Sequence, residues 1–174
     1  PQFAGHWLRM DIPLLEFEDE IVLYTDFDVV FRSMPESVDR PRLIAAAPEQ
    51  RKLDRTSFNS GVMLMNLPAL RRVDADFREA VYRRLRGNFR YPTHAQASYN
   101  EFFGGRIDRL PLELNWKPYW GVNPAAHIVH FHGPKPGLVR TFQTGGAGER
   151  HAGLATMWQR DPEAYAAYLA LFDA

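Results

Sequence analysis

Cysteine is absent from the 174 residues, which excludes disulfide scaffolds, thiol nucleophiles and every zinc site built on thiolates. His, Asp and Glu remain as the strong metal ligands. This leaves the compartment open, with the cytoplasm as the expectation. Lysine is scarce: it stands only at Lys52, Lys117 and Lys135, and arginine supplies the rest of the 21 basic residues. Neither sign of charge is in excess, since Asp plus Glu also number 21, and no block of like charge occurs. Nucleic acid and anionic membrane surfaces are therefore not expected as bulk partners. No apolar run approaches the roughly 18 residues of a membrane span. The longest, Gly61 to Leu70, is broken by Asn66 and Pro68, so a soluble chain without a transmembrane segment is expected. The sequence also opens at Pro1 without Met or a leader pattern, and reads as a piece of a longer gene product. No repeat or linker divides it. What is present, 45% hydrophobic and 13% aromatic residues, suffices for one sizeable core.

The apolar spacing predicts alternating strands and helices. Phe3, Trp7, Leu8 and Met10 fit a short helix ended before Pro13, and Glu20 to Thr25 reads as a strand buried on both faces. Arg42 to Ala47 and Val62 to Met65 read as further strands, separated by a polar loop from Glu49 to Thr56. Asp74 can cap a helix presenting Phe77, Val81, Tyr82 and Leu85, with Gly87 just past its end. A helical stretch containing Gln96, Tyr99 and Phe103 follows, then strands at Ile107 to Leu110 and Ile128 to Phe131. Gly145 to Gly148 looks flexible, and Asp161-Pro162-Glu163 opens a last helix with Tyr165, Tyr168, Leu169 and Phe172 on one face. The expectation is an α/β domain with a Rossmann-like, mixed and mostly parallel sheet flanked by helices. In such folds ligands bind beyond the carboxyl ends of the strands.

Two clusters carry chemistry. Asp26 and Asp28 stand two apart at a strand end, where extended backbone points both carboxylates to one side. Such oxygens suit Mg²⁺ or Mn²⁺ with a bound diphosphate; two solvated loop carboxylates are the bland alternative. In the run His127 to Pro136, His130 and His132 share a strand face, so an imidazole can meet a metal, as in zinc hydrolases. Gly133 and Lys135 read either as a diphosphate cradle or as a tight Gly-Pro turn beside a solvated lysine. Asn59 and Asn115 are amides of the kind sugar sites use, while Trp116 and Trp120 read as core or lid packing.

In this order, LRMDIP (Leu8 to Pro13), VLYTDFDVVF (Val22 to Phe31), FNSGVMLMNL (Phe58 to Leu67), AQASYNEFF (Ala95 to Phe103), LNWKPYWG (Leu114 to Gly121) and HIVHFHGPKP (His127 to Pro136) resemble glycosyltransferase family 8. The resemblance implies a GT-A fold and a metal-dependent retaining enzyme that moves a hexose from a UDP-sugar to a hydroxyl acceptor, with Mn²⁺ or Mg²⁺ as cofactor. It implies that Asp26, Asp28 and His130 hold the metal and that Gly133 and Lys135 hold the diphosphate. Arg9 and Asn59 would contact the donor, and Gln96 would lie beside the transferred sugar. Nucleotide sugar and a glycan or other hydroxyl acceptor are then the partners. Residues 1–140 would form a partial catalytic domain, and 141–174 a glycine-rich segment with a C-terminal helix.

Three departures from the family pattern follow. Ala95 stands where Asp usually precedes the Gln, which removes the obvious nucleophile for double displacement and favours same-face attack. Gly137 replaces a common Trp, and the Gly133–Lys135 spacing is short. The family's nucleotide-binding strand and helix units are not found before Phe3, which makes the domain look incomplete; uncovered sheet surface would admit self-association. A catalytically inactive nucleotide- or glycan-binding domain is the alternative function, and a zinc hydrolase using His130, His132 and Asp26 the third.

Overall fold

The computed structural model describes residues 4–86, 95–146 and 151–174. Phe3 of the expected first helix and the helix stop expected at Gly87, together with Ala147 and Gly148 of the glycine-rich segment, lie outside them. The chain forms two compact units, each assembled from separate segments: Pro1–Tyr24 with Asp39–Leu110, and Thr25–Val38 with Pro111–Ala174.

The first unit is built on a four-stranded sheet of β1 (Ile21–Thr25), β3 (Ile44–Pro48), β4 (Phe58–Asn66) and β5 (Ile107–Arg109), in the order β1-β4-β3-β5. The sheet is mixed, as expected. β3 pairs antiparallel with β4, Ile44 facing Met65, and parallel with β5, Ile44 facing Ile107. Every residue of β3 and β4 is buried, consistent with apolar runs covered on both faces. β1 departs from that pattern. It carries a similar run but stands at one end of the strand order, and all five of its residues are only half-buried.

Helices pack against this sheet. Asn66 ends β4 and caps α1 (Leu67–Arg71), its Oδ1 accepting from the Ala69 N–H at 3.2 Å while its Nδ2 donates to the Pro41 carbonyl at 2.9 Å. α2 (Asp74–Arg86) has Asp74 and Asp76 in its first turn and Arg83, Arg84 and Arg86 in its last, which complements the helix dipole. Phe77 of α2 meets Tyr99, Phe102 and Phe103 of α3 (Ala95–Phe103) at centroid distances of 4.9, 5.1 and 4.9 Å. Such aromatic pairs contribute about 0.5–1.5 kcal/mol each beyond buried area. Tyr82, expected on the core face of α2, is exposed instead.

The second unit centres on an antiparallel pair, β2 (Val29–Phe31) with β6 (Ile128–His130), in which Val29 faces His130 and Phe31 faces Ile128. Trp116 runs beside Val129; its N–H donates to the Ile128 carbonyl at 2.9 Å, and its own carbonyl accepts from the His130 N–H at 2.8 Å. Three helices complete the unit: α4 (Pro136–Gln143), α5 (Ala152–Trp158) and α6 (Pro162–Phe172). α6 begins as the sequence predicts, with the Asp161 carboxylate accepting from the Ala164 N–H at 2.9 Å. Its Tyr165, Tyr168 and Leu169 enter a core with Trp116, Val129, Phe131 and Val139.

Candidate metal centre and polar cluster

β1 ends at Thr25, and the chain bends through Asp26, Phe27 and Asp28 before β2 begins. The Phe131 N–H donates to the Asp28 carbonyl at 2.9 Å, so the β2–β6 pairing holds this bend against the end of β6. One oxygen of Asp26, one of Asp28 and a ring nitrogen of His130 consequently lie within 4.8 Å of one another. Asp28 and His130 are each only 2% exposed, and Asp26 is half-buried. The carboxylates converge from a bend rather than from the extended strand end that the spacing suggested.

The state of His130 follows from its neighbours. Its Nδ1 lies 3.1 Å from Asn115 Oδ1. An amide oxygen only accepts, so Nδ1 carries the proton. Burial pushes the imidazole below its ordinary value, against the pull of Asp28, so the ring is neutral. Nε2 is then an unprotonated lone pair, and it faces Asp28 Oδ1 at 3.5 Å. Burial opposes the charge on Asp28, and with the imidazole neutral the Lys135 ammonium is the group that favours it. Two electron-rich atoms thus face each other in a buried place, with an Asp26 oxygen in reach. A cation would take all three as ligands.

Lys135, just before α4, contacts Asp28 Oδ2 and reaches the Phe131 carbonyl at 3.3 Å. His132 does not join the metal cluster; its Nδ1 lies 2.8 Å from the Tyr119 hydroxyl. Gly133 has φ +91°, and a Cβ there would stand 2.9 Å from Met157 Cε and Sδ. The residue is thereby tied to close packing of α5. Trp116 and Trp120 pack edge to face at 5.5 Å, in line with their reading as packing residues.

In the first unit the other three residues singled out in the sequence come together on Ser60. Arg9 Nη1 donates to the Ser60 carbonyl at 2.7 Å and to its hydroxyl at 2.9 Å, with the guanidinium over the Tyr24 ring. Gln96 Oε1 accepts from the Ser60 N–H at 3.0 Å and from Asn59 Nδ2 at 3.2 Å. Asn100 fastens α3 to β4 by accepting from the Phe58 N–H and donating to the Phe58 carbonyl, both at 2.8 Å, and this sets the height of Gln96. Ala95 is buried at the start of α3.

Sequence reasoning misread one member and missed two. Asn115 orients His130 rather than offering itself to a ligand. Ser60 is the hub of the polar cluster. Lys117 is fully buried with its ammonium 4.4 Å from the Trp120 ring centroid. The first two depend on cross-strand register, for which the sequence carries no local signal; the rarity of lysine was the only pointer to the third.

Comparison with solved structures settles the fold. The galactosyltransferase LgtC, in a complex with donor and acceptor sugar analogues, superposes with a TM-score of 0.59 at 19% identity, covering 85% of this chain and 70% of LgtC. The fold is of the GT-A kind. The glycosyltransferase GlyE of Streptococcus pneumoniae TIGR4 matches with a TM-score of 0.62 at 17% identity, over 98% of this chain and 46% of GlyE. The bifunctional glycosyltransferase WbbM matches with a TM-score of 0.56 at 15% identity, over 92% of this chain and 38% of WbbM. At these identities the likeness is one of fold. No protein-family profile matches the sequence, and no curated protein matches it either. Among the described residues no helix is long and apolar enough to cross a membrane.

Proposed function

We propose that the chain is the metal-dependent part of a retaining glycosyltransferase that moves a hexose from a UDP-sugar to an acceptor hydroxyl. The observation that carries this is the neutral His130, whose Nε2 faces Asp28 Oδ1 beside Asp26. Two carboxylate oxygens and one imidazole nitrogen are a donor set that fits Mn²⁺, with Mg²⁺ as the harder alternative. The GT-A fold supports the reading, because solved structures of that shape include sugar transferases.

Asp26, Asp28 and His130 would hold the ion, which when bound supplies Lewis-acid stabilisation of the charge building on the leaving diphosphate. Lys135 adds a point charge for the same oxygens, and Gly133 carries the turn that leads to it. Arg9, Asn59 and Gln96 are assigned to the donor, with the Ser60 hub holding their side chains in place. Gln96 Oε1 already accepts from Ser60 and Asn59, so only its N–H groups remain to orient a sugar hydroxyl. With Ala95 offering no carboxylate, the residues favour attack by the acceptor from the face the diphosphate leaves.

Calorimetric titration of UDP with and without Mn²⁺ tests this. Binding that requires Mn²⁺ and is lost in Asp28→Ala is expected, together with Mn²⁺-dependent release of UDP from a UDP-hexose. The buried Ala95 favours one second reading, an inactive nucleotide-binding domain, and binding without UDP release would select it. A preference for Zn²⁺ over Mn²⁺ would point to hydrolase chemistry, which the Tyr119–His132 contact already disfavours.

A further inference from the structure

Lys117 is a cation that the proposed mechanism does not use. It is fully buried, a state lysine rarely reaches, and the register explains where it lies. Trp116 runs beside Val129, and its carbonyl accepts from the His130 N–H at 2.8 Å, so Lys117 comes level with His130. Trp116 and Lys117 are both extended, with φ −71° and −104°, and side chains along extended backbone alternate in direction. Trp116 takes the apolar side, in the core with Val129. Asn115 and Lys117 take the other, where Asn115 Oδ1 meets His130 Nδ1 at 3.1 Å. The Lys117 ammonium sits 4.4 Å from the Trp120 ring centroid, a contact that favours the charged form. Burial is the main reason that the His130 imidazole stays neutral, and the charge on Lys117 adds to it.

The candidate metal centre thus combines two carboxylates, Asp26 and Asp28, with two ammonium groups, Lys117 and Lys135, all on segments of the second unit. The two lysines differ in what they can do. Lys135 is half-exposed and can pass from Asp28 to a ligand. Lys117 is held in the interior, where it cannot reach a bound nucleotide, and an ammonium has no lone pair to offer a metal. Its contribution is a fixed positive charge placed where water and salt screen least. Such a charge repels a divalent cation and attracts a diphosphate. Because the lysines already match the carboxylates, a divalent ion alone brings positive charge in excess, and a diphosphate carries the charge that offsets it. We infer that Lys117 makes retention of the metal conditional on the diphosphate: it opposes binding of the ion alone and favours the ion and the nucleotide diphosphate together. This rests on the metal and UDP reading of the same site, and by linkage each ligand then strengthens the other by the same factor.

Lys117→Met is the test. Methionine keeps the length and the apolar stem against Trp120, and a buried ion exchanged for an apolar side chain of like volume is commonly tolerated. Electron paramagnetic resonance of free Mn²⁺ reads the affinity of the chain for the ion alone, and calorimetry at saturating Mn²⁺ reads the affinity for UDP. In the variant the first should rise about tenfold and the second fall about tenfold, as expected for a poorly screened charge at short range. Damage to the fold would lower both, so it cannot imitate a gain in Mn²⁺ affinity. Unchanged or weaker Mn²⁺ binding by Lys117→Met would overturn the inference. The unaltered chain supplies a second readout: UDP should raise its Mn²⁺ affinity about tenfold or more, after allowance for Mn²⁺ held by free UDP, and equal affinity with and without UDP would also overturn it. A chain that binds no Mn²⁺ in either form refutes the metal centre and this inference with it. Mn²⁺ binding that Asp28→Ala abolishes and Lys117→Met leaves unchanged refutes this inference alone.

Discussion

Lys135 and Asp28 hold each other: the ammonium contacts Asp28 Oδ2, while the other oxygen of the same carboxylate faces His130 Nε2 at 3.5 Å. The lysine therefore competes with a metal for Asp28, although it is assigned to the diphosphate once metal is present. The two roles pull in opposite directions in Lys135→Gln. Mn²⁺ affinity should rise roughly twofold to fivefold, the range for a pair with one half-exposed member. UDP affinity in the presence of Mn²⁺ should fall about tenfold or more, as befits a lost charge-assisted contact. Electron paramagnetic resonance of free Mn²⁺ reads the first and calorimetry the second. A fall in both would show that Lys135 does not compete with the metal.

Asn115 acts through His130. Asn115→Ala removes the acceptor for the Nδ1 proton, frees the ring to change tautomer, and should lower Mn²⁺ affinity about 10–100-fold, as the loss of such supporting groups does elsewhere. Asn115→Asp keeps an acceptor in place and should restore most of the affinity. A variant that binds Mn²⁺ normally would show that His130 needs no such support.

The pH profile follows from burial. The His130 imidazole sits below its ordinary value of 6.5, and the neutral ring is the form that binds metal. Mn²⁺ affinity should therefore stay level as pH falls through 6.5 and decline only in more acidic solution, whereas an exposed histidine would lose about tenfold per unit from 6.5 down. The same depression ties stability to pH. The contribution of His130 is present above 6.5 and is lost as pH falls toward its folded-state value, so the metal-free chain should melt at lower temperature on that acidic side.

Gly133→Ala should destabilise the chain by about 1–2 kcal/mol through its positive φ, with a further cost from the 2.9 Å approach to Met157. Adding Met157→Ala should remove the second part and leave the first. Urea unfolding of the two variants separates them.

Asn66→Ala removes the cap of α1 and strands the Pro41 carbonyl. A loss of about 1 kcal/mol or somewhat more is expected from the cap alone, read as a lower urea midpoint at unchanged slope.

Much of this was legible along the chain. Asp161 with Pro162 announced α6, and the apolar runs announced β3, β4 and β6, because capping and burial leave marks within a few residues. Ser60 shows what was not legible. Nothing local sets it apart, and it becomes a hub only because Arg9, 51 residues before it, and Gln96, 36 residues after it, are brought to β4 by the sheet and by Asn100. Asn115 is similar: its alignment with His130 comes from the Trp116 segment lying beside β6. The strand at Ile21 to Thr25 misled for a related reason. An apolar run states that a strand can be covered on both faces, but the number of neighbours it gains is decided elsewhere in the chain.

The pairing of Val29 with His130 has a meaning for synthesis. The carboxylates at Asp26 and Asp28 leave the ribosome about a hundred residues before the imidazole that faces them, and the whole Asp39–Leu110 segment of the other unit emerges in between. Until then β2 is a strand without its partner. A contact of that sequence separation costs loop entropy before it returns any stabilisation, so closure of β2 on β6 belongs to the late, slow part of folding. The candidate metal site of Asp26, Asp28 and His130 is not assembled until that step is complete.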